Sequence, residues 1–163
     1  MTARRLTRDA LLTAVALILF VVEAQIPVPV PIPGVKPGLA NIVTVWTACL
    51  LGPWDALAVL LCRIFLGAMF AGNMSVLFYS LSGGLLSLCA LLILRRVTTQ
   101  EQLWICSIFA AIAHNAGQIA AAVAIMRTRA VIAYFPFLAL SGAVTGLFTG
   151  LCAQFLVSRR LWR

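Results

Sequence analysis

Arg63 stands in the middle of an apolar stretch, nine residues from either end. On a helix that is about 13 Å from each surface of a membrane. A guanidinium at that depth cannot easily snorkel to water. It needs a cavity, a carboxylate or an anionic ligand, because an unpaired charge in hydrocarbon is costly. Glu23, near the end of the first apolar stretch, is the acidic residue best placed to meet it. Two compatible readings follow: a structural Arg63–Glu23 pair, or an arginine that binds an anion. A second group is His114, Asn115 and Gln118, inside another apolar stretch. His114 and Gln118 are one turn apart and share a helix face, with Asn115 beside them. Three hydrogen-bonding side chains would be wasted on lipid, so they point to a pocket. A satisfied structural histidine is the alternative. Asn41 and Asn73 open or precede helices, where an asparagine serves as a cap, a turn residue or a pocket group. Lys36 adds a second cation ahead of Asn41. Together these residues favour a small ligand with an anionic end.

Other chemistry is missing. No GxxxxGK[ST] loop occurs, so the chain does not hydrolyse ATP by itself. Asp9 and Asp55 stand alone rather than in a magnesium-binding cluster, and neither a nucleophile elbow nor a zinc motif is present. There is one histidine, and Cys49, Cys62, Cys89, Cys106 and Cys152 show no CxxC spacing. No metal is expected, the cysteines read as small buried hydrophobes, and no cofactor is indicated.

The elements that must position these residues are membrane helices. The chain has 163 residues, 63% hydrophobic and only 10% charged. A soluble domain carries about a quarter charged residues. The apolar runs predict an all-α, polytopic membrane protein, a single domain over 1–163, with six transmembrane helices at about 10–26, 39–51, 54–72, 74–95, 102–126 and 131–157. The net charge of +8 sits mostly at helix ends. It therefore reads as a topology signal facing anionic lipid, not as a nucleic-acid surface.

If all six helices cross, Arg4, Arg5, Arg8, Arg95, Arg96, Arg159, Arg160 and Arg163 fall on one side, and Lys36, Arg127 and Arg129 on the other. The bias of eight to three puts both termini in the cytoplasm. A rival reading takes the first stretch as a cleaved signal peptide, with Val-Glu-Ala before Gln25 as the cleavage site. Glu23 and the following prolines are unusual for a mature terminus, and removing that helix would spoil the charge pattern.

The second stretch covers only about 20 Å of a roughly 30 Å core. Ahead of it, Ile26 to Gly38 alternates proline with apolar residues, which forbids an α-helix and favours an extended path. We expect this proline-rich segment to dip in from the outer side as a cap between the first two helices; a plain surface loop is the alternative. Small residues recur every fourth position: Gly142, Gly146 and Gly150; Ala113, Gly117 and Ala121; Ser80 and Gly84; Ala10 and Ala14. Such strips let helices approach closely. The later ones read as packing within the bundle, and Ala10 and Ala14 could face a partner protein.

PVPIPGVKPGLANIV, RIFLG, SLSGGLLS, AHNAGQ and LSGAVTGLFTG together resemble the Gx transporter family, over about Leu11 to Leu156. That family is often labelled heptaprenyl diphosphate synthase component I and is related to the substrate-binding S components of energy-coupling factor transporters. The resemblance implies a six-helix bundle in the cytoplasmic membrane of a bacterium, with an outward-open pocket. It also implies partners: a membrane transport subunit docked on Ala10-x-x-x-Ala14, and ATPase subunits that drive it. A flavin or an isoprenoid-related compound would be the small-molecule ligand. The family label implies instead a subunit of polyprenyl diphosphate synthesis, yet the paired aspartate clusters of prenyl-transferring enzymes are missing. We therefore expect a binding subunit and not an enzyme. The alternatives are an accessory subunit of prenyl diphosphate synthesis, or a membrane anchor of a redox complex.

Overall fold

A computed structural model describes residues 2–25, 38–72 and 74–159. The described chain is helical throughout: α1 (Ala3–Gln25), α2 (Leu39–Leu50), α3 (Pro53–Ala71), α4 (Met74–Leu94), α5 (Leu103–Met126) and α6 (Phe135–Ser158). Two short 3-10 helices, Gln100–Gln102 and Arg129–Tyr134, precede α5 and α6. Among the described residues, α3, α5 and the stretches Leu77–Leu94 and Arg129–Ser158 are long and apolar enough to cross a membrane. These four helices make it an apolar membrane protein by length and composition. α2 has 12 residues and is too short to span alone. α1 has 23 residues but includes Arg4, Arg5, Arg8, Asp9 and Glu23.

α1 starts well before the expected residue 10, and the reason is electrostatic. Arg5 and Arg8 reach α3, where Asp55 is buried: Arg5 Nε donates to Asp55 Oδ1 at 2.6 Å and Arg8 Nη2 to Asp55 Oδ2 at 3.0 Å. Arg8 also lies 3.4 Å from Asp9. Asp9 and Asp55, isolated in sequence, thus share one arginine. The arginine ends of these pairs are 39% and 31% exposed, so each is worth about 1 kcal/mol, not the larger value of a fully buried pair.

α6 begins later than expected, at Phe135, after the 3-10 turn. Pro136 fits its first turn, where no backbone N–H is required.

α2 starts at the expected Leu39 and ends at Leu50, one residue early. It opens at Gly38, whose φ of 71° is left-handed and suits glycine. Gly38 lies beside Thr149, in the middle of α6, so α2 begins deep within the bundle. Its other end is held by Arg95, just after α4, whose guanidinium donates to the carbonyls of Ala48 and Cys49. These are carbonyls that a helix C-terminus leaves without partners. The turn at Gly52-Pro53 then starts α3.

α4, α5 and α6 pack backbone to backbone. A Cβ added at Gly117 would lie 2.6 Å from Ser82 O, and one at Gly150 would lie 2.6 Å from Trp104 Cα. Gly142 and Gly146 abut α5 in the same way. The strips on α5 and α6 are therefore internal packing surfaces, as small residues allow in membranes. α1 packs on α2 and α3, and α2 packs on α6. One core joins five helices, with Ala48 of α2, Leu60 of α3, Leu91 of α4, Cys106 of α5 and Ala153 of α6 all nearly inaccessible.

Candidate functional site: a polar seam in the bundle

On α3 the buried residues Ala56, Val59, Leu60, Arg63, Ile64 and Gly67 recur at helical spacing, so Arg63 points inward. It is 7% exposed, and its Nε has no hydrogen-bond partner among the described residues. The expected pair with Glu23 is not a direct ion pair: no nitrogen–oxygen separation reaches 4.0 Å or less. Glu23 is close enough to act on Arg63 through its charge, but its Oε1 accepts the Gly38 N–H at 2.6 Å. The carboxylate is thus engaged with the entry to α2. This arrangement tethers α1 to the deep start of α2 and leaves Arg63 facing the interior with a charge to be met.

His114 and Gln118 do share a face, and that face meets α4 at Gly83. A Cβ added to Gly83 would lie 3.0 Å from both Gln118 Cγ and His114 Cε1. Glycine at this position lets the imidazole lie against the α4 backbone. His114 Nδ1 is buried without a partner among the described residues, and Arg63 lies within electrostatic reach of the ring. Asn115 separates from this group. It is turned to α6, where its Nδ2 donates to Leu138 O at 2.6 Å. Adjacent positions on a helix diverge by about 100°, so Asn115 faces α6 rather than sharing the face of His114 and Gln118.

A cavity of about 10 Å³ lies one turn along α5 from His114. Asn41 and Thr44 of α2, Ser87 of α4, Ser107 of α5 and Thr149 of α6 supply its polar lining. That volume suits about one water. Ser107 Oγ and Thr149 Oγ1 are 3.0 Å apart, while Thr44 Oγ1 is buried and has no partner among the described residues. Ser107, Ala111, His114 and Gln118 follow each other at spacings that keep one helix face. The seam therefore runs from Gln118 through His114 to the hydroxyl cavity, with Arg63 of α3 within electrostatic reach of His114. Buried polar atoms without partners are uncommon in native interiors, and among the described residues three of them, Thr44 Oγ1, Arg63 Nε and His114 Nδ1, belong to this seam.

Of the residues singled out in the sequence, Arg63, His114 and Gln118 lie along the seam, and Asn41 joins it at the cavity. Lys36, Asn73 and the proline-rich segment lie outside the described residues. Gly72, just before Asn73, ends α3 in a left-handed conformation (φ 61°), as a tight turn requires. Ala10 and Ala14 are exposed on α1, turned away from α2 and α3. No group of three or more histidine, cysteine or acidic residues forms a metal site among the described residues. Sequence reasoning missed Thr44, Ser87, Ser107 and Thr149. The only signal they offered was a hydroxyl in an apolar run.

Comparison with curated proteins and with solved structures finds no match. The profile of one family, described as heptaprenyl diphosphate synthase component I, matches residues 12–156. The match covers nearly all of α1 to α6, including Arg63, His114, Gln118 and the hydroxyl cavity. The chain belongs to the heptaprenyl diphosphate synthase component I family.

Proposed function

We propose that this chain is a membrane-embedded binding subunit, similar in role to the S component of an energy-coupling factor transporter. It would hold a small, vitamin-like, anionic compound along the polar seam and pass it to partner subunits without transforming it. The observation that carries this reading is Arg63: a guanidinium deep in an apolar helix whose Nε has no partner among the described residues, while Glu23 is bonded to the Gly38 N–H. An anionic group on a ligand supplies what that arginine lacks. His114, Gln118 and Asn41 would hydrogen-bond the remainder, and Lys36 and Asn73 would contribute from the outer side beneath a proline-rich lid.

In this reading all six helices form the membrane bundle, α2 doing so with help from the segment before it. Both termini face the cytoplasm of a bacterial cell. A reporter active only in the cytoplasm, fused after Arg163, should be active; activity of only an outside-specific reporter would reverse the topology.

A membrane transport subunit would dock at Ala10 and Ala14, with ATPases beneath it. Ala14→Leu should then abolish co-purification with such a subunit while sparing ligand retention, because leucine holds helices apart on a close-approach strip. Loss of ligand with the complex intact would place the strip on the wrong side of the argument.

The family's description favours a second reading, in which the chain presents a polyprenyl diphosphate to a soluble synthase. Native mass spectrometry of the purified chain separates the two. A small polar anion retained at one-to-one stoichiometry supports the binding subunit. A prenyl diphosphate adduct supports the synthase accessory. A chain that is empty under all mild extraction conditions would fit a membrane anchor and defeat both.

A further inference from the structure

A second site lies at the basic end of α1, remote from Arg63. Two adjoining hollows meet there. One, of about 580 Å³, is lined by Thr2, Arg4, Arg5, Arg8, Leu51 and Asp55. The other, of about 640 Å³, is mainly apolar, with Leu11, Leu12, Val15 and Trp46 as its walls and Arg4, Thr7 and Arg8 at its polar end. Arg4 and Arg8 border both. The first hollow is lined by three arginines and Asp55, and Asp9 also lies 3.4 Å from Arg8, which leaves one arginine in excess of the carboxylates. Asp55 is already bonded to Arg5 and Arg8, while Arg4 makes no ion pair or hydrogen bond among the described residues. No acidic residue occupies the first turn of α1, so the positive end of the helix dipole adds to the same field.

We propose that this pair of hollows is a binding site for an anionic phospholipid of the surrounding leaflet, with the phosphate held by Arg4 and Arg8 and one acyl chain lying along Leu11, Val15 and Trp46. The charge complementarity commits the occupant. A partner helix would fill the apolar groove but would leave the excess positive charge unanswered, whereas a phosphate with no compensating cation on its headgroup answers it. The dimensions agree: Arg4 to Val15 spans about 16 Å along the helix, roughly one leaflet of a 30 Å hydrocarbon core. Leu11 and Val15 are exposed, so the groove opens sideways to lipid. The adjoining strip of Ala10 and Ala14 lies on the neighbouring face of α1. The bound lipid would therefore flank the docking strip without covering it. The inference does not depend on the ligand reading of Arg63.

The test uses the full-length chain reconstituted in vesicles of equal phosphatidylglycerol and phosphatidylcholine, then released for native mass spectrometry. One phosphatidylglycerol should remain bound, enriched about fivefold over phosphatidylcholine, the selectivity that one arginine near the surface provides. Arg4→Gln, which breaks no ion pair or hydrogen bond among the described residues, should return the ratio close to that of the bulk vesicle. Leu11→Trp should displace the adduct by filling the groove, with the melting temperature unchanged. Bulk-like lipid ratios in the wild type, or an unchanged ratio in Arg4→Gln, would overturn the proposal. So would a Leu11→Trp variant that keeps its lipid but loses co-purification with a membrane subunit, since the groove would then be a protein interface.

Discussion

Gly117→Val is expected to lower the melting temperature of the detergent-solubilised chain more than any single change on the lipid-facing surface. A Cβ at Gly117 would sit 2.6 Å from Ser82 O and 2.8 Å from Gly83 Cα. Both are backbone atoms, so neither can turn aside. α4 and α5 must separate, and the seam residues His114 and Gln118 move with α5. Over-packing a core costs about 1–3 kcal/mol, and the upper part of that range applies where backbone opposes backbone. Gly67→Ala is the control. There the added Cβ meets the ring of Phe20 at 3.1 Å, a side chain that can shift. Thermal unfolding followed by the exposure of Cys106, buried in the wild type, compares the two directly. Equal shifts for Gly117→Val and Gly67→Ala would remove the backbone contact as the organising feature of the α4–α5 pair.

Arg63→Ala is expected to weaken retention of the co-purifying ligand by about 2–3 kcal/mol, roughly 30- to 150-fold, the scale of a lost charge-assisted hydrogen bond. The same change should leave the empty protein as stable as before or slightly more so. Arg63 is a buried charge with no carboxylate within 4.0 Å among the described residues, and its removal relieves a desolvation penalty that the more distant Glu23 offsets only in part. Glu23→Gln acts elsewhere. It weakens the bond to Gly38 N–H, a charge-assisted contact of 2.6 Å, and so loosens the start of α2. Its signature should be a lower melting temperature with a modest effect on ligand. The structural Arg63–Glu23 pair makes the opposite forecast: both substitutions lower stability alike, and affinity per folded molecule is unchanged. Measuring melting temperature and ligand retention on the same two variants decides between them.

The two expectations share a physical root. Where helices touch through glycine, side chains beside the contact are carried at fixed positions. His114 keeps its place because Gly83 has no side chain, and Gln118 because it lies one turn on. A Gly83 side chain would meet His114 O at 2.9 Å and the imidazole at 3.0 Å. The small-residue strips thus do two things at once: they permit close packing and they set the width of the polar seam.

Much of this was fixed by the order of residues alone. Long apolar runs force helices, because lipid offers no partner for a free backbone group. The short run after the prolines forces a short α2. A lone arginine inside an apolar run must turn inward, and His114 and Gln118 must share a face, because helix geometry leaves no choice.

The tertiary structure decided the partners. Arg5, Arg8 and Arg95 read as topology signals, yet they also tie α1 to α3 and α4 to α2. Asn115 looked like a ligand-facing neighbour of His114, but α6 presents Leu138 O to it. Glu23 looked like the mate of Arg63, but Gly38 N–H came closer. The hydroxyl cavity was hidden for a different reason. A serine or threonine in a helix can satisfy itself on the preceding turn, as Thr13 does on Asp9 O and Thr47 on Val43 O. Thr44 lies in the same kind of run, and its hydroxyl has no partner among the described residues. Composition cannot tell the two cases apart, because the difference lies in what the neighbouring helices bring to within hydrogen-bonding distance.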